Sequence, residues 1–215
     1  MIDFFKKICY NITNLGGISM NTDFDILVNK EHLLSPFYTP DNLVEVPATH
    51  NFMKVEKIVK PAYDEFLAFQ EEAKLSCNGL DIYICSGFRT YATQGIILTR
   101  SVVNEGISST VKRVALPGQS EHQTGLAMDL MTIKNELPVV LEEEESKKLR
   151  NISSEYGFIL RYPEGKEKIT GYQYEPWHFR YVGKDLATYL SDNSWTLEEY
   201  YYYDKPEYRK KIKIK

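Results

Sequence analysis

The chain is short of cysteine, of histidine, of excess positive charge and of long apolar runs, and each shortage closes off a class of protein. Among its 215 residues there are three cysteines, Cys9, Cys77 and Cys85, odd in number and irregular in spacing, with no CxxC pair. Neither a disulfide framework nor a cysteine-based zinc site is expected, and the thiols read as small hydrophobes in a reducing compartment. Lys and Arg total 26 against 30 Asp and Glu, a formal net charge of −4. A general nucleic-acid binder would be basic, so no nucleic-acid partner is expected. No apolar run approaches the roughly 18 residues of a membrane span. No internal repeat is found. What is there, 43% hydrophobic, 26% charged and 13% aromatic residues, describes a soluble globular domain that needs no disulfide or metal merely to fold.

Along the chain, Met1 to Ser19 has Lys6 and Lys7 but no apolar segment after them, so it reads as neither a signal peptide nor an anchor. Gly16-Gly17 lies just ahead of Met20, a spacing compatible with glycine codons that double as a ribosome-binding site, and native translation is expected to begin at Met20. Residues 1–23 are therefore taken as an extension, 24–203 as the domain and 204–215 as a tail with six basic residues and one glutamate, expected to be solvated. Residues 24–46, with Pro36 and Pro40, predict an extended wrapping arm. Phe52, Val55, Ile58, Val59, Ala62, Phe66, Phe69 and Ala73 have helical spacing and predict a helix over 49–75, kinked or divided at Pro61. Strands are predicted at 80–85, 127–131, 158–162 and 177–182. Helices are predicted over 93–105, ending near Gly106, from the acidic run 142–145 onward, and over 186–203. The order implies an α+β fold with a small antiparallel sheet flanked by helices.

The chemistry concentrates in two segments, Ser120-Glu121-His122-Gln123-Thr124-Gly125-Leu126-Ala127-Met128-Asp129 and Glu175-Pro176-Trp177-His178-Phe179-Arg180-Tyr181, which hold two of the four histidines. Catalytic zinc takes three ligands from His, Asp or Glu and keeps a position open. His122, Asp129 and His178 form one such set. Glu175 remains as a carboxylate that a general base requires. In a regular strand Glu175 and His178 would point to opposite faces, so both reach one metal only if Pro176 marks a bend or bulge. Gly125 would permit close backbone approach between the two ligands of its segment. His32 and His50 read as ordinary hydrogen-bonded residues. In a third segment, Ser86-Gly87-Phe88-Arg89-Thr90-Tyr91, Arg89 is either a surface charge or a fork projecting into a cleft at a strand end.

Together the three segments resemble the LAS metallopeptidases (lysostaphin, D-Ala-D-Ala metallopeptidase, hedgehog), and within them the VanY-type D-alanyl-D-alanine carboxypeptidases and their VanXY relatives. The pattern S-x-H-x-x-G-x-A-x-D matches Ser120, His122, Gly125, Ala127 and Asp129; E-x-W-H matches Glu175, Trp177 and His178; S-G-[FY]-R matches Ser86 to Arg89. The resemblance runs from about Leu27 to about Tyr200 and takes in Val114 to Gly118, Tyr156 to Phe158 and Trp195 to Tyr200.

The resemblance implies a hedgehog/D-Ala-D-Ala-peptidase-like fold and a zinc peptidase of bacterial cell-wall precursors, with a link to glycopeptide (vancomycin) resistance. It implies zinc on His122, Asp129 and His178, Glu175 as the base that moves a proton from water to the leaving amine, and Arg89 as the stabiliser of the oxyanion. Ser86, Gln94, Ser120 and Trp177 are the implied substrate contacts. A neutral Ser86 stands where dipeptidase-like relatives carry an acidic residue, so carboxypeptidase action on precursor peptides ending in D-Ala (or D-Ser) is expected to dominate. The alternative is a bifunctional VanXY-type dipeptidase/carboxypeptidase, which the absence of an anchor resembles; a cytoplasmic location is expected on the same ground. An L-Ala-D-Glu endopeptidase would favour a cell-wall-binding repeat, and none is seen. A non-catalytic zinc-stabilised binding module would tolerate loss of Glu175 and Arg89, and both are present.

Overall fold

The computed structural model describes residues 24–50 and 54–205. The expected extension over 1–23 with its Met20 start, Cys9, Phe52 and the tail beyond Lys205 lie outside them. Lys205 itself is not a solvated charge: it pairs with Asp25 and lies 4.7 Å over the Tyr201 ring.

After an irregular arm, Leu43–Val46 (β1) pairs antiparallel with Glu56–Val59 (β2). Helix Lys60–Ser76 (α1) follows with Pro61 in its first turn. This corrects the expected helix over 49–75. Pro61 neither kinks nor divides a helix but opens one, where its missing N–H is no loss. Ala62, Phe66, Phe69 and Ala73 are buried along α1, while Ile58 and Val59 are buried from β2. Apolar residues of a short strand and of the helix after it thus merged into one apparent helical stripe.

A five-stranded sheet forms the centre. Its strands are Ile82–Ser86 (β3), Ala127–Lys134 (β4), Leu137–Val140 (β5), Phe158–Leu160 (β6) and His178–Tyr181 (β7). They run in the order β3-β4-β7-β6, with β5 paired to β4, and every pairing is antiparallel. The α+β class with a small antiparallel sheet is as expected. Phe69 of α1 lies on the sheet, its ring 5.5 Å from Phe158, 6.0 Å from Phe179 and 5.8 Å from Tyr156. Burying an aromatic ring of this kind removes some of the largest apolar areas available from water.

Helix Tyr91–Glu105 (α2) is capped by the Thr90 side chain and ends at Gly106. The short turn Ile107–Thr110 (α3) follows it. Glu143–Arg150 (α4) carries its three acidic residues in the first turn and basic ones in the last, as the helix dipole favours. After the short helix Glu167–Thr170 (α5) come Lys184–Asn193 (α6) and Leu197–Asp204 (α7). The single helix expected over 186–203 is therefore two. Ser194 takes a left-handed φ of 54°, and Thr196 with Glu199 forms a reciprocal capping box, the T-x-x-E signature of a new helix start. Leu186, Leu190, Leu197, Tyr200 and Tyr201 form a second apolar cluster with Leu27 of the arm. Cys77 is buried and Cys85 half-buried, both as free thiols. No helix among the described residues is long and apolar enough to cross a membrane.

Candidate active site

Sheet register assembles the site. Asp129 on β4 is the cross-strand partner of His178 on β7 and of Ser86 on β3. Directly opposed residues of antiparallel strands share a face, so three sequence-distant motifs meet in one row. A bulge between Ile84 and Ser86 ends regular pairing there and re-aims the chain toward α2.

His122 lies on a 3-10 turn, Glu121–Thr124, that leads into β4 through Gly125 at φ 66°. A Cβ on Gly125 would meet Leu43 at 2.9 Å, Val59 at 3.0 Å and Pro40 at 3.1 Å. The close approach at Gly125 is thus to the β1–β2 hairpin and the arm, rather than between the two ligands as expected. Gly87 has a similar role: a Cβ there would lie 2.3 Å from the Lys57 carbonyl oxygen. With Gly87 pressed on β2, its own carbonyl lies 2.7 Å from His122 Nδ1. That contact makes Nδ1 the protonated nitrogen and leaves His122 Nε2 as a lone pair.

Pro176 does mark a bend. The His178 N–H donates to the Glu175 carbonyl at 3.2 Å, closing a turn with proline second. The Glu175 carboxylate consequently comes round to 3.8 Å from His178 Nδ1. His178 Nδ1 is 3.0 Å from Asp129 Oδ1, and His122 Nε2 is 3.3 Å from Asp129 Oδ2. Donor atoms of His122, Asp129 and His178 all lie within 4.8 Å of one another. Two imidazoles and one carboxylate turned on a common point, with Glu175 beside them, are the donor set of a zinc site with an open position; the chain's residues fit that metal.

Electrostatics agree with this geometry. Burial, with Arg89 nearby, lowers the His122 pKa and favours the neutral ligand form. Burial alone would raise Asp129, but the two histidines hold it well below the usual carboxylate range. Burial lifts Glu175 to about 7, where a carboxyl can exchange a proton near neutrality. His178 is pulled down by burial, but Asp129 and Glu121 outweigh this and raise it to about 9.

Arg89 is a cleft residue and not a surface charge. Its Nη2 donates to Asp129 Oδ2 at 2.7 Å, and Nε and Nη2 donate to Ser86 Oγ at 3.0 and 2.7 Å. Gln94, Ser120 and Trp177 also line the cleft. Ser86 lies behind Arg89, its hydroxyl oxygen accepting both N–H groups of the fork. Gln94 donates to the Ala115 carbonyl at 2.8 Å, and its buried Oε1 lacks a partner. Neither His32 nor His50 lines the cleft; the former contacts Asn29 and the latter Tyr83.

Beside the metal residues lies a buried ionic network that the sequence reading passed over. Glu121 Oε1 accepts from Arg161 Nε at 2.7 Å and from Arg180 Nη1 at 2.8 Å. Arg161 forks onto Glu198 of α7 at 2.6 and 2.8 Å, and Asn29 of the arm donates to Glu198 at 3.1 Å. Both arginines are fully buried. Burial would raise Glu121, but the two guanidiniums hold it far below the usual range. The available signal was charge inside apolar strand sequence: Arg161 follows Phe158-Ile159-Leu160, and Arg180 lies between Phe179 and Tyr181. Tyr162, whose ring is 4.9 Å from that of His178, and Tyr172 complete the cleft wall.

Residues 55–184 match the family described as VanY, D-alanyl-D-alanine carboxypeptidase. The putative carboxypeptidase YodJ of Bacillus subtilis is 41% identical over 181 residues, 81% of this chain and 66% of YodJ, so the chain spans just under two thirds of that relative. The bifunctional D-Ala-D-Ala dipeptidase and carboxypeptidase VanXYC of Enterococcus gallinarum is 38% identical over 184 residues, 82% of this chain and 93% of VanXYC. Among solved structures, the LD-carboxypeptidase LdcB superposes with a TM-score of 0.69 at 37% identity, covering 87% of this chain and 86% of LdcB. A mutant of the vancomycin-resistance D,D-pentapeptidase VanY in complex with Zn(II) superposes with a TM-score of 0.70 at 31% identity, covering 82% of this chain and 97% of that one.

Proposed function

The chain belongs to the VanY family of D-alanyl-D-alanine carboxypeptidases, and on that premise we propose that it is a zinc-dependent D,D-carboxypeptidase that removes the C-terminal D-Ala from peptidoglycan precursor pentapeptides. The observation that carries the reading is the convergence of His122, Asp129 and His178 within 4.8 Å in a cleft also lined by Glu175 and Arg89. His122, Asp129 and His178 would hold the zinc, which would supply Lewis acidity, lowering the pKa of water and polarising a carbonyl. Glu175 takes the proton of the water that attacks the scissile carbonyl and hands it to the departing amine nitrogen. Its value of about 7 suits a group that must accept and then release a proton. Arg89, locked by Ser86 and Asp129, offers a fixed positive charge to the oxygen on which negative charge develops. Ser120, Gln94 and Trp177 hold the substrate end; the unpartnered Gln94 Oε1 accepts a peptide N–H. An uncharged Ser86 beside Arg89 supports a peptide nitrogen over a free ammonium, and so a carboxypeptidase over the dipeptidase activity that VanXYC also carries.

A second reading has its own support. LdcB, an LD-carboxypeptidase, is 37% identical to this chain, against 31% for the D,D-pentapeptidase VanY. D-Ala release from UDP-MurNAc-pentapeptide, from the tetrapeptide and from free D-Ala-D-Ala, each before and after chelation and zinc return, separates the readings. We expect zinc-dependent release from the pentapeptide. Release confined to the tetrapeptide assigns L,D action; equal release from the free dipeptide assigns the bifunctional activity.

A further inference from the structure

Two buried polar atoms beside the metal site face each other without a hydrogen-bond partner: His178 Nε2 and Glu121 Oε2, 3.7 Å apart. An orphaned donor or acceptor in the interior is costly, so a facing pair of them calls for an explanation. His178 turns Nδ1 toward Asp129 and Glu175, so Nδ1 is its ligand atom. A neutral imidazole that gives one nitrogen to a metal carries its proton on the other. That proton points at Glu121 Oε2. The other oxygen of Glu121 is clamped by Arg161 and Arg180, which fixes the carboxylate plane and leaves Oε2 only one direction to face.

We propose that Glu121 is a positioning residue, whose Oε2 accepts the Nε2–H of His178 and thereby holds the ring in the tautomer and orientation that present Nδ1 to the metal. The histidines are then steered by different means. His122 is set by a backbone carbonyl, that of Gly87. His178 is set by a carboxylate that the Arg161–Glu198 pair ties to α7 and, through Asn29, to the arm. Removing such outer partners typically costs about 10–100-fold in metal affinity. The proposal rests on the metal triad and not on the choice of substrate.

The test uses wild-type protein with 15N-labelled histidine, loaded with zinc, and long-range 1H–15N correlation. The expected result is His178 protonated on Nε2 and metal-bound through Nδ1, its Nε2–H protected from exchange, beside His122 with the opposite tautomer. His178 bound through Nε2, or an Nε2–H in free exchange with water, would overturn the proposal. Zinc affinity by chelator competition gives the second readout. Glu121→Gln places an amide where the acceptor stood and should weaken zinc about 10–100-fold, with Glu121→Asp, which keeps the charge, recovering part of it. Glu198→Gln disturbs the same arginine without touching His178 and should lower thermal stability while changing zinc affinity far less. Equal weakening by Glu121→Gln and Glu198→Gln would show a purely structural role and sink the idea. A wild-type chain that takes no zinc would bring down the triad, and the positioning role with it.

Discussion

Two polar clusters lie side by side and differ in whether they open to the cleft. In the Glu121–Arg161–Arg180–Glu198 network two carboxylates balance two guanidiniums, and the arginines donate hydrogen bonds of 2.6 to 3.0 Å. A few ångströms away, Asp129 faces Arg89 and both imidazoles, His178 Nδ1 at 3.0 Å and His122 Nε2 at 3.3 Å, and Glu175 lies 3.8 Å from His178 Nδ1. The first cluster is closed to solvent and charge-neutral, as a buried ionic group must be to avoid a large desolvation cost, and its oxygen without a hydrogen bond, Glu121 Oε2, faces His178. The second is open to the cleft, and its donor atoms on His122, Asp129 and His178 converge within 4.8 Å, as a site that takes a cation requires. Stability resides in the first and chemistry in the second, with Glu121 touching both.

The largest expected effect strikes the open cluster alone. Glu175→Gln should keep zinc and lose turnover by about 10²–10⁴-fold or more, the contribution of a positioned acid–base group. Metal content and kcat measured on the same sample check this, and near-native turnover with zinc bound would remove Glu175 from the mechanism. Next comes the closed cluster. Arg161→Met leaves Glu198 and half of the Glu121 pairing uncompensated, so unfolding free energy should fall by about 3–5 kcal/mol in urea titration. Adding Glu198→Gln to that variant should return part of the loss, and if it returns none the charges are not what binds the network.

The clusters should also part company with pH. His178 stands at about 9 against an ordinary 6.5 in the metal-free protein. A raised value stabilises the fold fully below about 6.5, and that stability is lost as pH rises through about 9. Zinc must displace the same proton, so its affinity should rise by up to about tenfold per pH unit toward 9. Calorimetric melting of the metal-free protein and chelator competition across pH 6 to 10 should therefore run in opposite directions; parallel trends would contradict a protonated His178. The smallest effect belongs to Ser86. Ser86→Ala removes the two hydrogen bonds that hold the Arg89 fork, while the Asp129 contact remains. A loss of about 1 kcal/mol corresponds to roughly a fivefold fall in kcat/KM, and an unchanged value would free Arg89 from any dependence on Ser86.

The metal residues were legible because their spacing is local and their chemistry is rare: His122 and Asp129 lie in one ten-residue segment, and Glu175 and His178 in one turn. Pro176 announced the bend that lets the last two cooperate, since proline fixes its own φ wherever it stands. Pro61 misled, because the same constraint suits a helix start as well as a kink, and only the pairing of Glu56–Val59 with Leu43–Val46 decides between them. Ser86 shows a related limit. Its neighbour three positions on, Arg89, was visible, but not that the Ser86 hydroxyl would accept two N–H groups of its fork.

Residue identity and short-range pattern thus determined the fold class, the ligand set and the carboxylate proposed as base, all of which depend on interactions within a few residues or on which atoms a side chain carries. Tertiary structure alone decided the row Ser86–Asp129–His178, which is a matter of strand register, and the need for Gly87 and Gly125, which is a matter of what backbone and side chains press against them. It also decided the surroundings of Glu121. A glutamate beside a histidine in sequence cannot be told from a solvated one. Its partners Arg161, Arg180 and His178 lie 40, 59 and 57 positions away, at separations set by how the sheet and α7 close over them.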